Sequence, residues 1–210
     1  MSQNTLTYSG FTGVILAGGL NSRMHGRNKA LLEFDGHTIL ERQLALLRAI
    51  FHDVILVGRD PDVYKNYDVR VVADIYDCRS SMTGLHAGLH YMQTPYAFVT
   101  ACDSPFVTEA MIRLVVEQTA PANDWVLPAH DGHYEPLCAV YGKRCLPHLE
   151  HLLEAGKVSI LELFDLVNVK YIHEQDLRQA DPHYHSFINV NTPAQLEQAR
   201  KLYGEIAGKL

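Results

Sequence analysis

An α/β fold is predicted for this chain: a three-layer sandwich in which a mostly parallel, doubly wound sheet lies between helices. Short apolar runs alternate with amphipathic segments along its 210 residues, the pattern of a sheet covered by helices. Helix starts are marked by capping residues, most clearly by Thr192 followed by Pro193. A hydrophobic content of 47% suffices for one sizeable core, and no Pro/Gly/Ser-rich linker divides the chain. Residues 1–210 are therefore expected to form a single domain, with 1–10 a loose lead-in.

Taken in order, residues 13–17 form the first expected strand. A helix follows over 38–50, with Thr38 as N-cap and an apolar stripe of Ile39, Leu40, Leu44, Leu47 and Ile50. Strands are expected at 54–57 and 69–73, a helix at 85–92 and a strand at 97–100. Thr108 caps a helix running to 119, and 125–127 is a short strand. Residues 137–141 are apolar and β-rich. Helices are expected over 145–154 and 159–166, separated at Gly156. Residues 169–172 are expected as an outer strand and 192–203 as the last helix. In a parallel sheet of this kind the site lies beyond the C-terminal ends of the strands. The Gly18-Gly19 loop, Asp74 and Asp103 each follow an expected strand, so they should meet on one rim.

Composition narrows the possible roles. A formal net charge of −6 argues against general nucleic-acid binding, although a local basic pocket is compatible with it. The four cysteines form no Cys-x-x-Cys pair, which indicates neither a zinc ribbon nor a disulfide framework. The first ten residues lack the pattern of a signal peptide, and no stretch is long enough to span a membrane. A reduced, cytoplasmic setting is expected.

The most informative segment is 13–32. After the strand come Gly18 and Gly19, then a polar loop carrying Ser22, Arg23, Arg27 and Lys29. Without a Cβ, the two glycines let backbone N–H groups approach phosphate oxygens closely. The basic side chains add the positive charge that a triphosphate requires. Lys29 follows Asn28 and precedes Ala30, so this is not a Walker A loop, nor is it a Gly-x-Gly-x-x-Gly turn. Asp103, ahead of Ser104-Pro105 at a strand end, is placed to hold a hard cation such as Mg²⁺. An ordinary turn aspartate is the plain alternative there, and more so at Asp74, because Asp77 is close by.

Leu16-Ala17-Gly18-Gly19 with Ser22-Arg23-Met24 and Lys29 resembles the signature loop of nucleotidyltransferases, most of all the molybdenum cofactor guanylyltransferase family. Three further segments resemble that family's motifs in its order: Ala101 to Phe106, Glu135 to Tyr141, and Phe187 to Pro193. The likeness runs from about Gly13 to Ala199. It implies a nucleotide-diphospho-sugar transferase-like fold and transfer of GMP from GTP to Mo-molybdopterin, with release of pyrophosphate. It also implies roles for individual residues. Arg23, Lys29 and Asp103 would be catalytic, and Leu16, Ala17, Gly18, Gly19, Lys29, Asp74 and Asp103 would bind GTP. Asp103 would hold Mg²⁺, and Asn189, Asn191 and Thr192 would lie on the acceptor side. For Asn191 and Thr192 a helix-capping turn is an equal reading, and both can hold at once; Glu135-Pro136 could be surface turn or acceptor wall. Implied partners are the two substrates and, transiently, a molybdenum insertase and recipient molybdoenzymes, with the protein a monomer or weak homo-oligomer.

The chain also departs from the family pattern. Asn28 stands where the family often has Asp, and His25 near a family glycine; neither change removes positive charge. Val57-Gly58-Arg59 stands where some members carry a nucleotide-contacting Asn, which weakens the case for guanine. Ser80 to Gly84 differs from the usual Gly-Pro-Leu version, although Gly84 and Gly88 are kept. A cytidylyltransferase acting on molybdopterin or a sugar-phosphate nucleotidyltransferase keeps the same chemistry. A non-catalytic nucleotide-binding module would not need Arg23, Lys29, Asp74 and Asp103 together. His183 and His185 flank Tyr184, and His130 and His133 lie near Asp131, spacings that can ligate a transition metal. With twelve histidines in the chain, chance clusters are expected. Cys102 and Cys138 sit in apolar contexts and are expected as core residues.

Overall fold

The computed structural model describes residues 7–18, 28–34 and 36–207. Gly19, Ser22, Arg23, Met24, His25 and Arg27, together with residues 1–6 of the expected lead-in, lie outside the described residues. In chain order the strands are β1 (Phe11–Leu16), β2 (Glu33–Phe34), β3 (His37–Thr38), β4 (Asp53–Val57), β5 (Arg70–Val72), β6 (Tyr96–Ala101), β7 (Trp125–His130), β8 (His133–Tyr134), β9 (Cys138–Gly142) and β10 (Val169–Ile172). The α-helices are α1 (Ile39–Ile50), α2 (Ser81–Tyr91), α3 (Glu109–Glu117), α4 (Leu146–Glu154), α5 (Glu174–Ala180) and α6 (Pro193–Ala207).

The main sheet has the order β10-β7-β9-β6-β1-β4-β5, with β8 attached to β7. β1 runs parallel to both β4 and β6, and Leu16 stands level with Val57 and Ala101. β9 runs antiparallel to both of its neighbours, β6 and β7. From β1 the chain winds outward through β4 to β5, then returns to place β6 on β1's other side. This reversal puts the crevice beyond the ends of β1 and β6, where α/β sheets bind ligands.

Period-two burial sorts the strand residues into two cores. Val14 and Leu16 face the cluster with Leu85, Leu89, Trp125 and Leu149, under α2 and α4. Ile15 points the other way, to Leu40, Leu44, Phe98, Met111 and Leu177, under α1, α3 and α5. A smaller cluster of Leu32, Phe34, Phe106, Val190 and Leu196 seats α6 on the β2–β3 hairpin.

Thr38 caps α1 in a reciprocal box, its Oγ1 accepting from the Glu41 N–H at 3.1 Å while the Glu41 carboxylate accepts from the Thr38 N–H at 2.7 Å. The helix expected at 85–92 starts earlier, at Ser81, where the Ser80 Oγ accepts from the Thr83 N–H at 3.2 Å. Every residue from Met82 to Leu89 is buried, so this helix carries no amphipathic stripe to mark its first turn. Residues Ile160–Asp165 form a 3-10 helix, where the sequence suggests an α-helix over 159–166. α5 and β8 are additional elements. β8 follows a two-residue turn in which Asp131 and Gly132 have φ of 47° and 74°, the Asp-Gly hairpin geometry. Among the described residues no helix is long and apolar enough to cross a membrane.

Candidate active site

Phosphate-sized chemistry is concentrated at the rim formed by β1, β5 and β6. A cavity of about 210 Å³ opens there, lined by Leu16, Gly18, Lys29, Asp74, Asp103 and Leu137, and by the start of α2. Gly18, Lys29, Asp74 and Asp103 thus converge although they are far apart in sequence. A Cβ on Gly18 would stand 3.7 Å from the Asp74 Oδ2, so the loop backbone runs directly beside that carboxylate.

Lys29 opens a short 3-10 helix at Lys29–Leu31, capped by Asn28, whose Oδ1 accepts from the Ala30 N–H at 3.0 Å. Its Nζ donates to the Asp103 Oδ2 at 3.0 Å and to the Asn191 Oδ1 at 2.5 Å. The lysine and aspartate side chains are 13% and 17% exposed, so the pair is shielded yet accessible to a ligand. The turn carrying Asp103 is fastened from several sides. Gln43 on α1 donates its Nε2 to the carbonyls of Ala101 and Ser104, at 2.7 and 3.1 Å. The Val190 N–H donates to the Asp103 carbonyl at 2.8 Å, and the Ser104 Oγ donates to the Asn189 Oδ1 at 2.7 Å.

Of the two asparagines of the C-terminal motif, Asn191 therefore touches Lys29 itself, and Asn189 holds Ser104, the residue after Asp103. Thr192 also caps α6, its Oγ1 accepting from the Gln195 N–H at 3.2 Å, so motif and cap coexist. Ala17 is placed differently: its N–H donates to the Val57 carbonyl at 2.8 Å and is spent on the sheet. The Val57 side chain is buried in the core, away from the cavity lining. Glu135 pairs with His130 at 3.0 Å, and Leu137 rather than Glu135 reaches the cavity.

Asp74 pairs with Arg59, whose Nε lies 3.2 Å from Oδ2. Its Oδ1 is buried without a hydrogen-bond partner among the described residues. Burial pushes the Asp74 carboxyl above the usual carboxylate range, and the Arg59 charge pulls part of that shift back. Asp74 and Asp103 both line the cavity and give it the hard oxygen donors that suit Mg²⁺. Ser80 and Ser81 belong to the 80–84 segment whose departure from the family pattern bears on base recognition, Arg59 to the 57–59 segment at a nucleotide-contacting position of the family, and Arg79 is an addition to the expected site. Arg79, Ser80 and Ser81 line the cavity at the N-terminus of α2, where backbone N–H groups and the helix dipole favour an anion. Their signal was the capping serine before a buried helix.

Cys102 and Cys138 are packed in the core, and Cys102 also forms part of the cavity wall. Burial pushes the Cys102 thiol up to about 12, and the Cys138 thiol is raised by the same cause. The His130 ring stacks on Tyr184 and Phe187 with centroids 4.4 and 4.8 Å apart. His183 and His185 stack on each other at 5.3 Å, and no third ligand joins either histidine pair among the described residues.

An α/β sandwich with a basic and acidic cleft at its switch point, helix N-terminus included, defines a nucleotide-handling protein. Comparison with known proteins gives the class its name. The MobA-like NTP transferase domain matches residues 13–170, and the chain belongs to that family of nucleotidyltransferases. It is 38% identical over 188 residues to a molybdenum cofactor guanylyltransferase of Desulfosudis oleivorans, covering 90% of this chain and 93% of the relative. A probable molybdenum cofactor guanylyltransferase of Pelotomaculum thermopropionicum is 37% identical, with 90% and 91% covered. Among solved structures, molybdopterin-guanine dinucleotide biosynthesis protein A from Archaeoglobus fulgidus superposes with a TM-score of 0.82 at 28% identity. That match covers 92% of this chain and 99% of the other.

Proposed function

We propose that this protein transfers GMP from GTP to the terminal phosphate of Mo-molybdopterin, releasing pyrophosphate. The observation that carries the reading is the Lys29–Asp103 pair on the wall of a cavity that Gly18, Asp74 and the start of α2 also line, with Asn191 holding the lysine. The names of relatives matched over nine-tenths of the chain support the choice of GTP and molybdopterin. In the reaction, an oxygen of the acceptor phosphate forms a bond to the α-phosphorus of GTP. The α–β bridging P–O bond breaks, and its electron pair leaves with pyrophosphate.

A phosphate nucleophile is already ionised at neutral pH, so positioning and charge neutralisation are the protein's main tasks. Lys29 places a cation against the triphosphate, and Asn191 and Asp103 hold its Nζ in place. Arg23, in the same glycine-rich loop, is proposed as a second neutralising cation, and Gly19 as a further part of the phosphate cradle. Gly18 lets the loop backbone approach, and the α2 N-terminus with Arg79 faces the phosphates. Asp103 would hold Mg²⁺, with the unpartnered Asp74 Oδ1 as a second oxygen donor. Bound there, the ion neutralises charge on the phosphate oxygens. Asn189 and Asn191 border the acceptor side.

We also propose that the whole chain acts as one cytoplasmic nucleotidyltransferase domain. Its product passes by transient contact to a molybdenum insertase or recipient enzyme. The test is pyrophosphate release with molybdopterin as acceptor, run in parallel with GTP and CTP. Release with GTP that requires both acceptor and Mg²⁺ is expected. Preference for CTP would move the protein to the cytidylyl branch, and no release with either would leave a nucleotide-binding module.

A further inference from the structure

Away from the nucleotide cavity, α2 and α4 bring three metal-ligating side chains together. His86 and His90 stand four residues apart on α2, so both rings project from one face, with centroids 5.9 Å apart. Glu150 reaches them from α4, and one ligand atom of each residue lies within 4.8 Å of the others. His86 is only 2% exposed, yet neither of its ring nitrogens has a hydrogen-bond partner among the described residues. Buried polar atoms are nearly always paired, so this imidazole lacks something.

Its distance to Glu150 suggests what is missing. The His86 Nε2 lies 3.5 Å from the Glu150 Oε1, beyond the range of a good hydrogen bond. Metal–ligand bonds of about 2.0–2.1 Å set a tetrahedral edge of about 3.3–3.4 Å, close to that separation. We propose that His86, His90 and Glu150 bind a zinc-class divalent transition ion that staples α2 to α4. Two imidazoles and one carboxylate select zinc and its first-row neighbours over magnesium or calcium. His90 is exposed and Glu150 partly so, which gives the ion an entry path and lets both side chains turn inward. The fourth position is open to water. None of the three residues lines the nucleotide cavity, although His86 is near enough to Asp74 for the two charges to be felt by one another.

The test uses the full chain, stripped with a chelator and titrated with zinc chloride alone. Bound metal and Tm are both followed. One tightly bound equivalent and a raised Tm are expected for the parent. His90→Ala and Glu150→Gln lie at the surface and should leave the fold intact. Each should weaken zinc binding more than about tenfold and remove the rise in Tm. Failure of the parent to take up zinc would overturn the proposal, as would uptake and a Tm rise that persist unchanged in both variants.

Discussion

Lys29 and Asp74 meet different electrostatic surroundings in the cavity, one paired with Asp103 and the other desolvated beside Arg59. Lys29 is held by Asp103 and Asn191 in a shielded position, and removing it deletes the positive charge proposed to face the phosphates. Lys29→Ala is expected to lower turnover by about 10²–10³-fold, the scale of one lost charge-stabilising donor, with little change in Tm. Near-normal turnover in a folded variant would take Lys29 out of the mechanism. Asp74 makes a pH-dependent statement. Burial raises its native pKa above the ordinary 3.8, so the folded state holds this proton more tightly than the unfolded chain does. The stability linked to that proton is complete below pH 3.8 and is lost as pH rises through the elevated native value. Asp74→Asn cannot ionise, so thermal melts should show the variant gaining on the parent as pH climbs from about 3.8 through that window. A flat or shrinking difference would contradict a desolvated Asp74.

Helix α2 is the element on which the site most depends, because its first turn lines the cavity and its body is buried between the sheet and α4. Gly88 permits that close approach: a Cβ there would stand 2.7 Å from the Val14 Cγ1 on β1. Gly88→Ala gains up to about 1 kcal/mol in helix propensity and loses about 1–3 kcal/mol to overpacking. A net destabilisation on the order of 1 kcal/mol is expected in denaturant melts. Adding Val14→Ala should remove the steric part, so a double variant that still carries the Gly88 penalty would refute the packing argument. At Gly84 the nearest atom to a Cβ is the Leu16 Cδ2, an ordinary contact at 3.4 Å, so tight packing is confined to the middle of the helix. A capping change should also be measurable: Thr38→Ala breaks the box at the start of α1 and is expected to cost about 1 kcal/mol.

At the scale of the whole molecule, topology turns scattered motifs into one site. Because β1 and β6 are parallel neighbours in register, their C-terminal loops deliver Gly18 and Asp103 to the same crevice, and β5 brings Asp74. That much was legible in the sequence, since each group follows an apolar run and the strand direction follows from the alternation. Contacts set only by helix docking were not. Gln43 fastens the Asp103 turn from 58 residues away, and nothing in a helical glutamine announces that. Arg59 stands in a segment that departs from the family pattern, and only the fold places it on Asp74. α5 is only seven residues long with one buried residue, Leu177, too little periodicity to read. The His130 and His133 spacing came from a hairpin turn rather than from ligation. The central claim is that the loop lysine and the strand-end carboxylates act together on one triphosphate. A crystal soaked with GTP and Mg²⁺ tests it most directly. The triphosphate should lie between Gly18, Lys29 and the start of α2, with the cation on Asp103. A triphosphate bound outside that cavity, or a cation that makes no contact with Asp103, would contradict it.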